Sequence, residues 1–209
     1  MIAITQTHVY NFDNAIRGAR NPMNSWDRMD SFYNDAGEFV LGENDLSLAV
    51  RLRNAGSDDR KFLRQVFLSV DLCAPLYWWK EFDTYKVGTV ANSTSTMHKL
   101  HSRPFELDDF SHDRLDEEGE AVLLQYIAYL EKLRLIYNET KDKAVWYQII
   151  QLLPSSYNQL RTCTMNYENL INMYYARKSH KLDEWRDYCR WIEGLPYAKE
   201  LIIGKDKNI

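Results

Sequence analysis

Four consecutive hydroxyl side chains, Ser93, Thr94, Ser95 and Thr96, stand near the end of the stretch LYWWKEFDTYKVGTVANSTSTMHKL, Leu76 to Leu100. Short hydroxyls and closely spaced backbone N–H groups can point at one anion together, so this run could cradle a phosphate; the plainer alternative is a polar linker. Arg177 is the best single binding candidate on chemistry alone, because its planar fork offers paired donors to a carboxylate, a phosphate or a pyrimidine carbonyl. Its segment also holds Asn166, Asn169, Met173 and Tyr174, a set that fits a lined groove better than a solvated face. Tyr77, Trp78, Trp79, Phe82 and Tyr85 could stack on a flat ring, although aromatics at helical spacing are more often core. Tyr85, beside the hydroxyl run, is the exception expected to bind.

Other chemistries lack their residues. His98, His101 and His112 lie close together, but with no helical HxxxH pair and no cysteine partner they read as surface histidines, and no metal is expected. There is no GxSxG, no GxxxxGK and no GxGxxG, which removes the main support for hydrolase, nucleoside-triphosphatase and dinucleotide-fold readings. Cys73, Cys163 and Cys189 are odd in number and widely spaced, as reduced, buried thiols would be.

The elements that must position these residues follow from periodicity. In QVFLSVDL, Val66, Leu68, Val70 and Leu72 alternate like a strand with one buried face, ending at Ala74-Pro75. A short aromatic helix is predicted from Leu76 to about Tyr85, with Pro75 in its first turn. Residues 103–119 are acidic and aperiodic and read as a surface loop. Beyond it, Val122, Leu123, Tyr126, Ile127, Leu130, Leu133 and Tyr137 recur at the spacing of a buried helical stripe. KAVWYQIIQLL forms a second helix that must stop at Pro154, and SSYNQLR reads as a loop. The next helix carries Asn166, Leu170, Met173 and Arg177 on one face. A last helix turns Trp185, Cys189 and Ile192 inward. The class is α+β, with more helix than strand.

The 209 residues, 45% of them hydrophobic, can form one sizeable core, so a single domain over 1–209 is expected. A net charge of -4 gives no basic footprint for nucleic acid. The first residues lack the basic start and apolar stretch of a signal peptide, and no window is long enough to span a bilayer. A cytoplasmic protein with no membrane partner is expected.

Two segments together resemble the flavin-dependent thymidylate synthases: the strand, AP turn, helix and hydroxyl run, and later LLPSSYNQLRTCTMNYENLINMYYAR. The family signature is RHR, seven residues, then SxR. Laid without a gap from Ala74-Pro75, its RHR falls on Thr84, Tyr85 and Lys86, its serine on Thr94 and its last arginine on Thr96. From Leu153-Pro154 the family's TVN falls on Thr164, Met165 and Asn166, and its later asparagine and arginine on Asn172 and Arg177. With one residue's slip, a histidine and a glutamate fall on His180 and Glu184. AIRGAR (15–20) is similar to the family's AxRxAR segment, with Arg17 and Arg20 in place.

The resemblance implies a thymidylate synthase-like fold with a central sheet and long helices. It also implies FAD as cofactor, deoxyuridylate as substrate, methylenetetrahydrofolate as carbon donor, and a homotetramer with sites at subunit interfaces. It places nucleotide binding on Asn92, Ser93, Thr94, Ser95, Thr96 and Arg177, with Thr94 where the family's activating serine stands; Arg161 is added as a nucleotide-binding candidate able to compensate for the missing arginines. Cofactor binding falls to Tyr85, Lys86, Asn166, Asn172 and His180. The side chains depart from the pattern. Thr84 and Thr96 replace arginines, Tyr85 replaces the histidine, and Glu168 stands where the family has an arginine. Up to three charge-assisted contacts are lost, each worth about 1.5–3 kcal/mol. The expectation is therefore a divergent member that binds a pyrimidine nucleotide, with flavin in reach and ordinary thymidylate synthesis disfavoured. The alternative is a non-catalytic protein that senses or sequesters a nucleotide or nucleotide-derived signal.

Overall fold

The computed structural model describes residues 1–204. It opens with strand β1 (Ala3–Tyr10), helix α1 (Phe12–Ala19), the short strands β2 (Phe32–Tyr33) and β3 (Phe39–Val40), and helix α2 (Glu43–Ala55). Strand β4 (Phe67–Pro75) passes directly into helix α3 (Leu76–Phe82), followed by β5 (Val90–Ser93), the long α4 (Glu117–Thr140) and α5 (Lys143–Leu152). Strand β6 (Asn158–Asn166), α6 (Tyr167–Arg177) and α7 (Asp183–Glu193) complete the regular elements before a π-helical turn at Lys199–Ile203. The central sheet has the order β1-β4-β6-β5, and β2 pairs antiparallel with β3. This is the expected α+β class with more helix than strand.

Two compact units emerge. One comprises Met1–Ile4, Asp71–Thr84 and Ala91–Thr162; the other comprises Thr5–Val70, Tyr85–Val90 and the chain from Cys163 onward. In the first, Leu100, Phe105, Phe110, Ile127, Leu130, Leu133 and Ile149 form the core. Helix α4 starts where Asp116 accepts a bond from the Gly119 amide at 2.8 Å, and α5 where Asp142 accepts one from Ala144 at 2.8 Å. Pro154 ends α5 by barring helical geometry at Leu153. Val122, expected on the buried stripe, is 60% exposed, because a helix advancing about 100° per residue leaves it at the margin of the face centred on Leu130.

Within the acidic segment, Phe105 and Phe110 are buried, and Phe110 bridges to Tyr157. No helical or strand period reveals such anchors, since each is a lone aromatic in irregular chain. SSYNQLR, expected to be a loop, enters β6 at Asn158, with Gln159 buried. Its polar residues disguised a strand whose apolar members come later. Helix α3 ends at Phe82, short of Tyr85.

In the second unit, Val66 just before β4 and Leu68 and Val70 within it are all buried, as are Ala15 and Ile16 of α1, Leu170 and Met173 of α6 and Trp185 of α7. Phe12 meets Tyr167 edge to face with ring centroids 5.3 Å apart. Trp185, Cys189 and Ile192 of α7 are buried as their spacing predicted. The C-terminal turn is tied down by Arg53, which donates to the carbonyls of Ile202 at 2.6 Å and Ile203 at 2.8 Å.

Candidate functional site

In the second unit, Arg177, Tyr85, Trp185 and His180 come together. Arg177 occupies the last turn of α6; its Nε donates to the Tyr85 hydroxyl at 3.0 Å. Its guanidinium carbon lies 4.7 Å from the Trp185 ring centroid and 5.6 Å from that of Tyr85. A cation held against two aromatic faces keeps its plane fixed, which is how an arginine fork is pre-organised for a planar or anionic partner. His180 packs edge-on against Trp185 at 6.3 Å, and its Nδ1 accepts from the Leu182 amide at 3.2 Å. Beneath Trp185, burial pushes the Tyr188 phenol well up. It also raises the Cys189 thiol to about 11, Glu193 adding to the rise and Arg177 opposing it. Both groups therefore stay neutral.

The turn that delivers Tyr85 is anchored on the start of α6. Asn166 and Asn169 form a reciprocal cap there: Asn169 N donates to Asn166 Oδ1 at 3.0 Å, and Asn166 N to Asn169 Oδ1 at 3.1 Å. Asn169 Nδ2 also donates to the Val87 carbonyl at 2.7 Å. Gly88 follows with φ +76°, and a Cβ there would stand 3.0 Å from Asn166 Nδ2. Asn166, expected at a cofactor, caps α6 with its Oδ1, and Asn169 ties that cap to the Tyr85 turn. Asn172 and Lys86 are exposed on α6 and the turn respectively.

In the first unit, the hydroxyl run is less free than its sequence suggests. Asn92 and Ser93 lie in β5, exposed. The Thr94 amide and hydroxyl both donate to the Leu160 carbonyl, at 2.9 and 3.3 Å, while Gln159 Nε2 donates to Thr94 O at 2.7 Å. Ser95 Oγ accepts from the amides of Met97 at 3.2 Å and His98 at 2.8 Å, an ordinary hydroxyl turn. Thr96 is half-buried next to it. Arg161 on β6 lies 4.1 Å over the Trp79 ring, pairs with Asp83 at 2.7 Å and donates to Gln159 Oε1 at 3.0 Å. Trp78, Trp79 and Phe82 are buried against one another, the core role that helical spacing favoured.

The structure is similar to thymidylate synthase X (ThyX) from Helicobacter pylori, solved with FAD and dUMP. The TM-score is 0.70 at 19% identity, over 99% of this chain and 100% of that one. A second Helicobacter pylori ThyX structure, also complexed with FAD and dUMP, matches with TM-score 0.68 at 20% identity, covering 95% and 97% of the two chains. The chain has the fold of the flavin-dependent thymidylate synthases. A UMP/dUMP methylase, PolB from Streptomyces cacaoi bound with 5-Br dUMP, is more distant, with TM-score 0.60 at 16% identity over 92% and 88% of the chains. No family model matches the sequence, and no curated protein matches it.

Within this thymidylate synthase fold, Glu168, the acid at the family's arginine position, does not stand alone. It pairs with Arg60 at 3.1 Å and with Arg64. Burial works against the Glu168 charge, but the bonds from Arg64 and Arg60 outweigh it and hold the carboxyl below its usual range. Asp58 acts on Arg64 as well, so the charges of this corner are close to balanced. Neither arginine was a candidate from the sequence; only the place of RKFLRQ directly before the buried strand could have drawn notice. Among the described residues no group of histidines, cysteines and carboxylates could hold a metal. Among the described residues no helix is long and apolar enough to cross a membrane.

Proposed function

We propose that the protein binds a pyrimidine mononucleotide such as dUMP, with Arg177 as its principal recognition residue. The observation that carries this is the Arg177 fork itself, held between the Tyr85 and Trp185 rings and positioned by the Tyr85 hydroxyl. The structural neighbours named for dUMP and 5-Br dUMP support the choice of ligand. The alignment that places Arg177 on the family's pyrimidine-reading arginine runs without a gap from Leu153-Pro154.

The reading extends to a flavin. The residues present suit one in part: Thr84 and Tyr85 supply no fixed charge, but Lys86 is exposed and cationic, and Arg60 with Arg64 sets two guanidinium groups beside Glu168. When bound, a reduced flavin supplies hydride chemistry; this chain's own share is to hold its phosphates through Lys86, Arg60 and Arg64. Thr94, at the family's serine position, already donates to Leu160, which favours an orienting role over nucleophilic activation. We place the protein in the cytoplasm as a homotetramer, with its three cysteines outside any disulfide, in keeping with a reducing compartment. Native mass spectrometry of the purified protein tests the whole reading. A tetramer retaining flavin or gaining the mass of added dUMP is the expected result, and a monomer taking up neither overturns it.

A further inference from the structure

The AIRGAR segment lies outside the Arg177 cluster, and its last residue is unusual. Arg20 is 4% exposed. Its Nε donates to Asp45 Oδ1 at 2.6 Å and its Nη1 to Ser25 O at 3.3 Å, but its Nη2 is buried with no partner. Asp45 has no capacity to spare, because Oδ2 already receives the Ser31 hydroxyl at 2.6 Å and the amides of Ser31 and Asp30 at 3.0 and 3.2 Å. A buried guanidinium nitrogen without an acceptor is costly, and such orphans concentrate where a ligand completes the bonding.

Arg20 lines two adjoining cavities in the second unit. The smaller, about 290 Å³, is bounded by Arg20, Arg28, Asn44, Ser47, Leu48 and Arg51. The larger, about 470 Å³, shares Arg20, Arg28, Leu48 and Arg51 and adds the less polar wall of Pro22, Met23 and Leu52, with Asp59 as its one acid. Asp45 balances the charge of Arg20, so Arg28 and Arg51 set the sign, and it is positive. Asn44 and Ser47 stand three residues apart on α2, hence on one face, and add neutral donors to the smaller lobe.

We propose that this double cavity binds a small organic phosphate, its phosphate among Arg20, Arg28 and Arg51 in the smaller lobe and its body against Pro22, Met23 and Leu52. Phosphate fits better than a lone carboxylate because three guanidinium groups and two neutral donors exceed what two oxygens can accept. None of these residues belongs to the Arg177 cluster, so the proposal does not depend on the nucleotide reading.

Calorimetry on the full chain with phenyl phosphate tests it, with benzoate as the carboxylate control. Arg28 and Arg51 are exposed, so Arg28→Gln and Arg51→Gln should keep the fold, which circular dichroism verifies. Each substitution is expected to weaken phenyl phosphate at least about tenfold, while Arg177→Ala changes nothing. The proposal is overturned by no saturable binding at millimolar probe, by benzoate binding as tightly, by affinity unchanged in the two glutamine variants, or by loss of binding in Arg177→Ala.

Discussion

Arg177 and Tyr85 are joined by a bond from Nε to the phenol oxygen at 3.0 Å, with the same guanidinium lying over the Tyr85 ring. The tyrosine standing at the family's histidine position thus orients the arginine expected to read the base. Arg177→Lys keeps the charge and loses the planar fork, so dUMP affinity by calorimetry should fall at least about tenfold. Tyr85→Phe removes only the orienting bond and should cost a smaller factor. Equal affinity in wild type and Arg177→Lys would remove Arg177 from the site.

Gly88 permits the approach that sets Tyr85 in place. Its φ of +76° disfavours any side chain, and a Cβ 3.0 Å from Asn166 Nδ2 and Asn169 Oδ1 would force both asparagines to shift. Gly88→Ala should destabilise the fold by about 1–2 kcal/mol through the left-handed backbone alone. The displaced turn should also weaken dUMP. A thermal melt and a titration on the same sample check both, and an unchanged titration would show that the turn does not position the binding residues.

Arg161 presents the opposite case, a candidate arginine already occupied. Stacked on Trp79 and paired with Asp83 at 2.7 Å, it has little charge to offer a phosphate. Asp83→Asn removes the competing carboxylate and leaves the stacking intact. If Arg161 meets the nucleotide phosphate, dUMP should bind several-fold tighter in this variant, with a steeper salt dependence. No change would return Arg161 to a purely structural role.

Much of this was legible in the residues. Val66, Leu68, Val70 and Leu72 alternate because one face of β4 is buried, and Trp185, Cys189 and Ile192 recur at helical spacing because α7 packs on one side. Arg177 stood out because a fork beside aromatics is a recognisable chemical unit. The rest depended on partners distant in sequence. Nothing local announces that Asn166 and Asn169 would be spent on a cap, that Ser95 would close its own turn, or that Glu168 would be met by Arg60 and Arg64 over a hundred residues earlier. Long-range pairing of side chains leaves no period, so sequence patterns located the elements and missed what neutralised their charges.

Flavin affinity offers a direct test of the altered signature. Thr84 stands where the family carries an arginine, and it spends its hydroxyl on the Glu81 carbonyl at 2.7 Å. Thr84→Arg restores a cation at an exposed position without removing any buried contact. FAD binding, followed by quenching of flavin fluorescence, should tighten by about tenfold if one charge-assisted contact is recovered. Unchanged quenching would mean that the phosphates of the flavin do not pass this position.

Asp45 carries a prediction about acid stability. Burial opposes its charge, but bonds from Ser31, Arg20 and the backbone amides of Ser31 and Asp30 prevail and hold its carboxyl below the ordinary 3.8. A carboxyl whose folded value is depressed contributes stability that is complete above the unfolded value and is lost as the pH falls through the folded one. The wild type should therefore lose stability below about pH 4 in part through this group. Asp45→Ala should lose about 3–5 kcal/mol at neutral pH, since it strands the 4% exposed Arg20 as an unpaired charge, and should show a shallower decline in acid. Chemical denaturation at pH 7 and pH 3.5 measures both quantities. Parallel curves for the two proteins across that range would show that Asp45 is not among the groups titrating with unfolding.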